Sequence, residues 1–366
     1  TRVLRTFPEV TRSRDDFDRN PLLLNVTNGT LDLSDVTFRP ADPADMLTKS
    51  AGTSYDADAQ APEFHEFIRS VLPDDETRWY TQKLLGMSLR GDAKHQVFAV
   101  FTGTGRNGKG VLVKLVSKVL GDYATTVSKG ILLQGGKEDH KTELMSFKGR
   151  RVCLAQELDR DSKWDVAAVK SLTGGDDITG RYMYQDESTF APTHTLVMTS
   201  NHKPAVPDGE TAFWMRYREV PFTVSFEGRE DTGLERRIAE NELPGVLNWL
   251  LDGLRGYIEE GLEMPAQVQH ATESAREDSD PLLQFIRDTY EVTRNPSDTV
   301  LTGELLNTYT EWRRDNVTAP TITLRTMRKR VLAVVGSEGV AEVDSLPRAN
   351  GGRGTVKGVS GLRKLA

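Results

Sequence analysis

The sequence predicts an α/β protein organised on a nucleotide-binding core, with a small α+β and helical region before it and a winged-helix-like module after it. Three observations carry that expectation. A short apolar run over residues 97–101 flows into Gly103-Thr104-Gly105-Arg106-Asn107-Gly108-Lys109 and then into helical periodicity. Two further runs, a buried-type strand from Arg150 to Glu157 and a β-rich run from Phe190 to Asn201, end in polar residues. Near the C-terminus, three helical patterns precede two short β runs around a glycine-rich, basic tip.

The glycine-rich loop is shaped for a triphosphate. Gly103, Gly105 and Gly108 let the backbone curl without Cβ clashes, so that N–H groups point inward and the next helix presents its positive end. Lys109 falls where a cation meets the β- and γ-phosphates. The expected ATP-binding residues are Gly103, Thr104, Gly105, Arg106, Asn107, Gly108, Lys109, Gly110 and Val111. Val111, Leu112, Leu115, Val116, Val119 and Leu120 then repeat at helical spacing up to Gly121. Gly110 stands where a Ser or Thr hydroxyl usually binds Mg²⁺, so the ion is expected to rest on an acidic side chain, phosphate oxygens and water.

Composition narrows the class. At 366 residues, with 37 % hydrophobic and 28 % charged, the chain is long enough for two or three ordinary globular domains. Cys153 is the one cysteine and the six histidines are scattered, which leaves no disulfide framework and no zinc-type spacing. No apolar run approaches the roughly 20 residues of a membrane span, and the N-terminus lacks a signal-peptide pattern. A cytoplasmic setting with no membrane partner is expected, and Thr1 in place of Met suggests a fragment or a processed chain. A net charge of −7 argues against general nucleic-acid affinity. Residues 320–366 nevertheless hold nine Lys and Arg against three Asp and Glu, so any such contact is expected to be local.

Taken in order, Leu22 to Leu33 holds Asn28-Gly29 between apolar runs, a hairpin signal. Phe64, Phe67, Ile68, Val71 and Leu72 then mark one helix, and Trp79, Leu84, Leu85 and Met87 a second. After the phosphate loop and its helix, a loop at residues 135–139 leads to the run ending at Gln156 and Glu157. An acid at a strand end beside a phosphate loop can hold the Mg²⁺ shell and polarise the attacking water, which makes Glu157 the candidate and Asp159 its reserve. A Gly174-Gly175-Asp176 turn precedes two β-rich runs separated by residues 185–188, the second running from Phe190 to Asn201. Asn201 is placed to hold the attacking water, although an asparagine at a strand end also serves local turns.

Helical periodicity resumes over residues 234–260 and is expected to form a lid. Residues 264–280 are polar and are expected to connect, as a linker or a helix. The last segment holds Leu282, Leu283, Phe285, Ile286 and Tyr290 on one helix, Leu305, Tyr309 and Trp312 on a second, and Leu324, Met327 and Val331 on a third. Arg325, Arg328, Lys329 and Arg330 lie off the apolar stripe of that third helix, and Arg353 lies at the following hairpin tip. They are the expected DNA contacts, with a solvated basic helix face as the alternative.

The ordered series resembles the superfamily-three helicases, and within them the phage, plasmid and poxvirus primase-helicase family. The residues that carry the resemblance are Asn28-Gly29 with Leu31-Asp32-Leu33, the loop from Gly103 to Lys109, Glu157, Lys170-Ser171-Leu172-Thr173-Gly174-Gly175-Asp176, Arg181, Phe190 with Pro192, Thr199-Ser200-Asn201, and Trp214-Met215-Arg216 leading to Val220-Pro221-Phe222. The resemblance implies an AAA+-like P-loop ATPase. Its organisation would be a β-containing region over 1–60, a helical collar-like region over 61–93, the core over 94–225, a lid over 226–263, a linker over 264–280 and a winged-helix-like domain over 281–366. It further implies a hexameric homo-oligomeric ring that uses ATP and Mg²⁺ to translocate on single-stranded DNA and open forked duplex. By resemblance Lys109 binds phosphates, Glu157 is the Walker B acid, Asn201 is the sensor, and Arg216 is a finger reaching a neighbour's nucleotide, with Arg218 the runner-up. Lys170 and Arg181 would serve the DNA-gripping hairpin of the channel. Family members often carry a primase domain upstream, and none is expected to fit before Pro21. Gly110, and Gln156 where many ATPases have a second acid, depart from the family pattern. Two other readings compete: an origin-binding or assembly ATPase that does not unwind, and a small-molecule P-loop kinase.

Overall fold

The computed structural model describes residues 12–13, 16–92, 95–135, 140–156, 163–201, 206, 211–316, 321–347 and 355–365. The chain divides into two compact units, Thr1–Glu273 and Ser274–Ala366.

The first unit begins with three short antiparallel strands, β1 (Leu23–Val26), β2 (Gly29–Asp32) and β3 (Thr37–Arg39), in the order β1-β2-β3. The Asn28-Gly29 turn pairs Val26 with Gly29, as the sequence predicts. Helices α1 (Pro62–Val71) and α2 (Asp75–Met87) follow. In α1 the apolar residues Phe64, Phe67, Ile68 and Val71 recur at one face and are all buried. The Asp74 side chain caps α2 by accepting from the Thr77 N–H at 2.8 Å.

The central sheet collects β4 (Phe98–Thr102), β5 (Ala124–Thr126), β6 (Val152–Gln156), β9 (Thr195–Ser200) and β10 (Tyr217–Pro221). Between them run α3 (Lys109–Leu120), α4 (His140–Leu144), α5 (Val166–Thr173), the hairpin β7 (Ile178–Arg181) and β8 (Glu187–Phe190), and α6 (Thr211–Trp214). All five strands are parallel, in the order β10-β4-β9-β6-β5. The chain therefore leaves β4 through α3, crosses to the far edge, and returns strand by strand until β9 slots in beside β4. Thr102 is level with Ser200 on one side and Pro221 on the other, and Gln156 is level with Thr199. The loops that leave β4, β9 and β10 consequently share one edge, the place where ligands gather in open parallel sheets.

The run from Phe190 to Asn201, expected as one strand, is two. β8 pairs only with β7, and β9 enters the central sheet after the Pro192 break. Proline has no N–H to give a ladder, so the run divides there. β5 was not expected at all.

The sheet is covered on one face by α1, α3 and two later helices, α7 (Leu234–Asn241) and α8 (Leu243–Glu260), which share one core with Leu24, Leu31, Phe64, Leu112, Phe101 and Leu250. Glu242, at the joint of α7 and α8, is buried and turns its carboxylate onto the start of α1, accepting from Glu63 N–H at 3.0 Å and Phe64 N–H at 2.9 Å. α1 has no side-chain cap of its own. Glu242→Ala leaves two helix-terminal donors unpaired, and a loss of about 2 kcal/mol is expected. A lowered denaturant midpoint, partly restored in Glu242→Gln, is the check; an unchanged midpoint would mean that water replaces the cap.

Cys153, in the middle of β6, is wholly buried, and burial pushes its thiol above the ordinary range. Helix α9 (Ala266–Asp278) occupies the segment expected to connect. No described helix is long and apolar enough to cross a membrane.

The second unit contains α10 (Pro281–Thr289), β11 (Tyr290–Val292), β12 (Thr299–Leu301), α11 (Thr302–Asp315), α12 (Leu324–Val335), β13 (Ala341–Pro347), β14 (Thr355–Ser360) and β15 (Leu362–Lys364). Its three helices enclose Phe285, Ile286, Leu305, Tyr309, Met327 and Val331 against the antiparallel sheet β12-β14-β13. Leu324, expected on the buried stripe of α12, is 54 % exposed, because it is the first residue of the helix and precedes the turn that meets the core.

Candidate functional site

The loop after β4 closes on its own lysine. Lys109, the first residue of α3, is buried at 6 % exposure. Its Nζ donates to the Gly103 carbonyl at 3.1 Å, to Asn107 Oδ1 at 2.9 Å and to Asn201 Oδ1 at 3.1 Å. An ammonium has three protons, so these bonds use all of them. All three acceptors are neutral, and burial pushes the amine down to about 8. Here is a desolvated cation whose partners bring dipoles but no charge, the state in which an incoming phosphate is most strongly attracted.

The loop geometry follows from its residues. Gly108 caps α3 with φ +82°, and a Cβ there would lie 2.4 Å from Val71 Cγ1, so only glycine both adopts the backbone and lets α1 approach. Arg106 is left-handed at φ 49°. Its guanidinium ion-pairs with Glu230 at 3.0 Å and Glu227 at 3.3 Å, and its carbonyl accepts from Phe226 N–H at 2.8 Å. Thr104 and Gly110 are exposed, and nothing stands within 4 Å of where a Gly110 Cβ would be, so the missing hydroxyl is not a matter of space.

Beside the loop opens a cavity of about 600 Å³, walled by Phe67, Val71, Val111, Phe226 and Leu234 and rimmed by charged groups including Arg106 and Arg237. The lining also holds Glu63, Glu66, Ser70, Arg229, Glu230 and Asp231, so apolar walls are ringed by acids as well as by arginines. Sequence reading reached only Arg106, Gly108 and Val111 of this lining as binding residues, because the rest comes from α1 and from the segment after β10.

At the opposite edge stands Arg216, just before β10. Tyr217 pairs with Phe98 at the start of β4, whereas the glycine-rich loop leaves after Thr102. At about 3.3 Å per residue the two are on the order of 16 Å apart along the sheet. The Arg216 guanidinium donates to the Ala212 carbonyl at 2.8 Å and to Gln96 Oε1 at 2.6 Å, and Gln96 in turn donates to the Gly174 carbonyl. The chain neighbours of Arg216, Phe213, Trp214 and Tyr217, pack with Phe98 and Trp164, mostly edge to face, with ring centroids as close as 5.2 Å. Arg218 turns inward, donates to the Tyr217 carbonyl at 2.8 Å and lies beside the buried Tyr80. Glu219 was not foreseen. It is buried and accepts from Thr102 Oγ1 and from Tyr217 Oη, each at 2.9 Å, which ties β10 to the end of β4.

The remaining expected residues are dispersed. Lys170 is half-buried on α5, and Arg181 is exposed at the end of β7, opposite Glu187. On α12, Arg325 and Lys329 are exposed and Arg330 is half-buried. Arg328 departs from the expected solvent face: it bonds Asp344 Oδ1 at 2.8 Å and ion-pairs with Glu342, both on β13. Glu157, Asp159 and Arg353 lie outside the described residues. Among the described residues no cluster of three or more His, Cys, Asp or Glu could hold a metal ion.

Residues 3–73 match the family described as D5 N terminal like, and residues 101–216 match a family of unknown function. A putative helicase of Acanthamoeba polyphaga mimivirus is 26 % identical over 340 residues, which cover 86 % of this chain and 35 % of that protein. A putative helicase of Invertebrate iridescent virus 3 is 25 % identical over 347 residues, covering 85 % and 37 %. A putative primase of African swine fever virus is 24 % identical over 330 residues, covering 82 % and 34 %. The chain thus spans about a third of the length of the curated relatives it matches. Among solved structures, the apo C-terminal region of NrS-1 aligns over 83 % of this chain and 78 % of that one, with a TM-score of 0.49 and 11 % identity. With a D5-like match over residues 3–73 and relatives named putative helicase and putative primase, the chain is similar to the D5-like viral primase-helicases.

Proposed function

We propose that the chain is the ATP-driven motor of a replicative DNA helicase, of AAA+-like type, which moves along single-stranded DNA as a ring during replication of a virus, phage or plasmid. The observation that carries this reading is Lys109: a buried ammonium at the rim of a glycine-rich loop, with every proton on a neutral oxygen and Asn201 among its partners. The triphosphate would lie over the loop N–H groups and Lys109, with its base and ribose in the adjoining cavity. Asn201 would hold the attacking water, and Glu157 would bear on metal and water. Mg²⁺, when bound, supplies charge neutralisation at the β- and γ-oxygens; with glycine at 110 its shell would be phosphate oxygens, water and the Glu157 carboxylate. Support for a nucleotide-motor core also comes from the sheet order, which puts β9 between the phosphate-loop strand and β6.

The second unit is read as a winged-helix-like DNA reader, supported by its three helices and the antiparallel β12-β14-β13 sheet. DNA contact there would fall to Arg325 and Lys329. Replacing each by alanine should reduce the slope of log affinity against log salt by about 0.7 to 0.9 per lost phosphate contact. Arg328→Ala, whose guanidinium is committed to carboxylates, should leave the slope unchanged. Equal slopes in all three variants would make α12 an ordinary solvated helix.

The decisive assay is ATP hydrolysis with and without single-stranded DNA, followed by strand displacement from a forked duplex. DNA-stimulated turnover with displacement supports the helicase. Turnover without displacement favours an assembly ATPase, and turnover indifferent to DNA a kinase-like enzyme.

A further inference from the structure

We infer that Asn107 is a positioning residue that ties Lys109 to the end of β10, so that nucleotide seated on Lys109 is felt along the strand whose start presents Arg216. The inference rests on the nucleotide-site reading above and names how that site is coupled to its neighbour.

Asn107 is buried at 3 % exposure within a loop whose flanking residues Thr104 and Arg106 are exposed. Its amide is used at both ends. Oδ1 accepts from Lys109 Nζ at 2.9 Å, and Nδ2 donates to the Phe222 carbonyl at 3.3 Å. The two partners fix the amide orientation, since an ammonium can only donate and a carbonyl can only accept. Phe222 immediately follows β10, and its own N–H donates back to the Thr102 carbonyl at 2.8 Å. The amide fills the space over Gly103, where a Cβ would lie 1.9 Å from Nδ2 and 2.6 Å from the Phe222 carbonyl oxygen. Gly103 therefore makes room for Asn107 as well as for phosphate.

Proton counting says what happens when nucleotide arrives. Nζ has no proton to spare, so a phosphate oxygen is engaged only when one of the three protein acceptors is given up. The Gly103 carbonyl is fixed in the backbone and Asn107 is anchored on Phe222. Asn201 is exposed at the end of β9 and is the acceptor to be released. Nucleotide would thus free the Asn201 amide for the attacking water while Asn107 holds the lysine to β10. At its other end the same five-residue strand begins one residue after Arg216, anchored by the Phe213 and Tyr217 rings. A shift of the lysine is passed to the strand through one hydrogen bond, and any such coupling must act in both directions.

The test uses the full chain, a fluorescent ATP analogue for affinity and steady-state hydrolysis for cooperativity. Wild type should hydrolyse ATP with a Hill coefficient above one. Asn107→Ala removes both bonds, and affinity should fall about tenfold while the Hill coefficient drops to one. Asn107→Asp keeps the acceptor for Nζ but faces Phe222 with an acceptor instead of a donor. Its charge pairs with Lys109 and competes with phosphate, so affinity should fall at least as far as in Asn107→Ala, and cooperativity should be lost with the Phe222 bond. A merely structural residue would weaken binding in both variants and leave the Hill coefficient above one. Gly103→Ala expels the amide without removing it and should match Asn107→Ala, which covers the case in which that variant fails to fold. Unchanged affinity in Asn107→Ala, wild-type cooperativity in Asn107→Asp, or a non-cooperative wild type overturns the inference. A wild-type chain that binds no ATP overturns the nucleotide reading itself.

Discussion

Lys109→Ala is expected to weaken ATP binding on the order of 10²-fold or more, because it removes a desolvated cation together with the hydrogen bonds it would redirect to phosphate. The pH dependence supplies an independent signature. Burial holds the free amine at about 8, so below that pH the site is charged and affinity should be flat. Above it the empty site is neutral, and binding must first recover a proton. Affinity should then decline by up to tenfold per pH unit toward the ordinary lysine range. The stability of the empty protein responds with the opposite sign. The unfolded chain keeps its lysine proton to higher pH than the native one, so the cost of the buried charge is relieved as pH rises through 8. Fluorescent ATP-analogue titrations from mildly acid to alkaline pH would show the decline in wild type and its absence in Lys109→Ala. An alkaline limb that survives the substitution would assign it to another group.

Arg216→Ala should leave ATP binding nearly intact and reduce turnover by about 10³ to 10⁵, the range of a transition-state arginine supplied from outside the site. The geometry behind this is the length of β4 and β10. Arg216 stands at the starting edge of the sheet and the glycine-rich loop at the finishing edge, so the guanidinium would be remote from a nucleotide held on the loop of its own chain. Its bonds to the Ala212 carbonyl and to Gln96 hold it at a fixed place, as a planar donor matched to phosphate oxygens must be. Arg218 is the weaker candidate because its side chain turns toward Tyr80 and the Tyr217 carbonyl. Mixing decides between neighbour and self. Arg216→Ala subunits combined with Lys109→Ala subunits should regain hydrolysis wherever an intact arginine meets an intact loop. A mixture that assembles and stays inactive would end the assignment.

What could be read from the residues alone was local. The glycine-rich turn into α3 and the Asn28-Gly29 hairpin each depend on chemistry within a dozen neighbouring positions, and each element lies where the pattern predicts. The strand starting after Arg216 was legible because Val220 and Phe222 are apolar at alternate positions, although Phe222 falls just past its end. β5 was not, since Ala124, Thr125 and Thr126 have little apolar character and become a strand by lying against β6. The division between β8 and β9 was hidden by an apolar run that Pro192 interrupts without breaking its hydrophobicity. Partners distant in sequence were invisible for the same reason. Asn107 was named as an ATP-binding residue without its tie to β10, because the Phe222 carbonyl is 115 positions away, and Arg328 looked free until folding brought Glu342 and Asp344 beside it.

The burial of Cys153 has a practical reach. Its thiol is enclosed within β6 between β5 and β9 and is held in its unreactive protonated form, so alkylating reagents should pass over the native protein. The chain therefore arrives at the bench already silent toward thiol dyes. A cysteine introduced at Met215, which is 68 % exposed beside Arg216, would be the sole labelled position, and energy transfer between differently dyed copies could time the meeting of subunits without first engineering a cysteine-free parent.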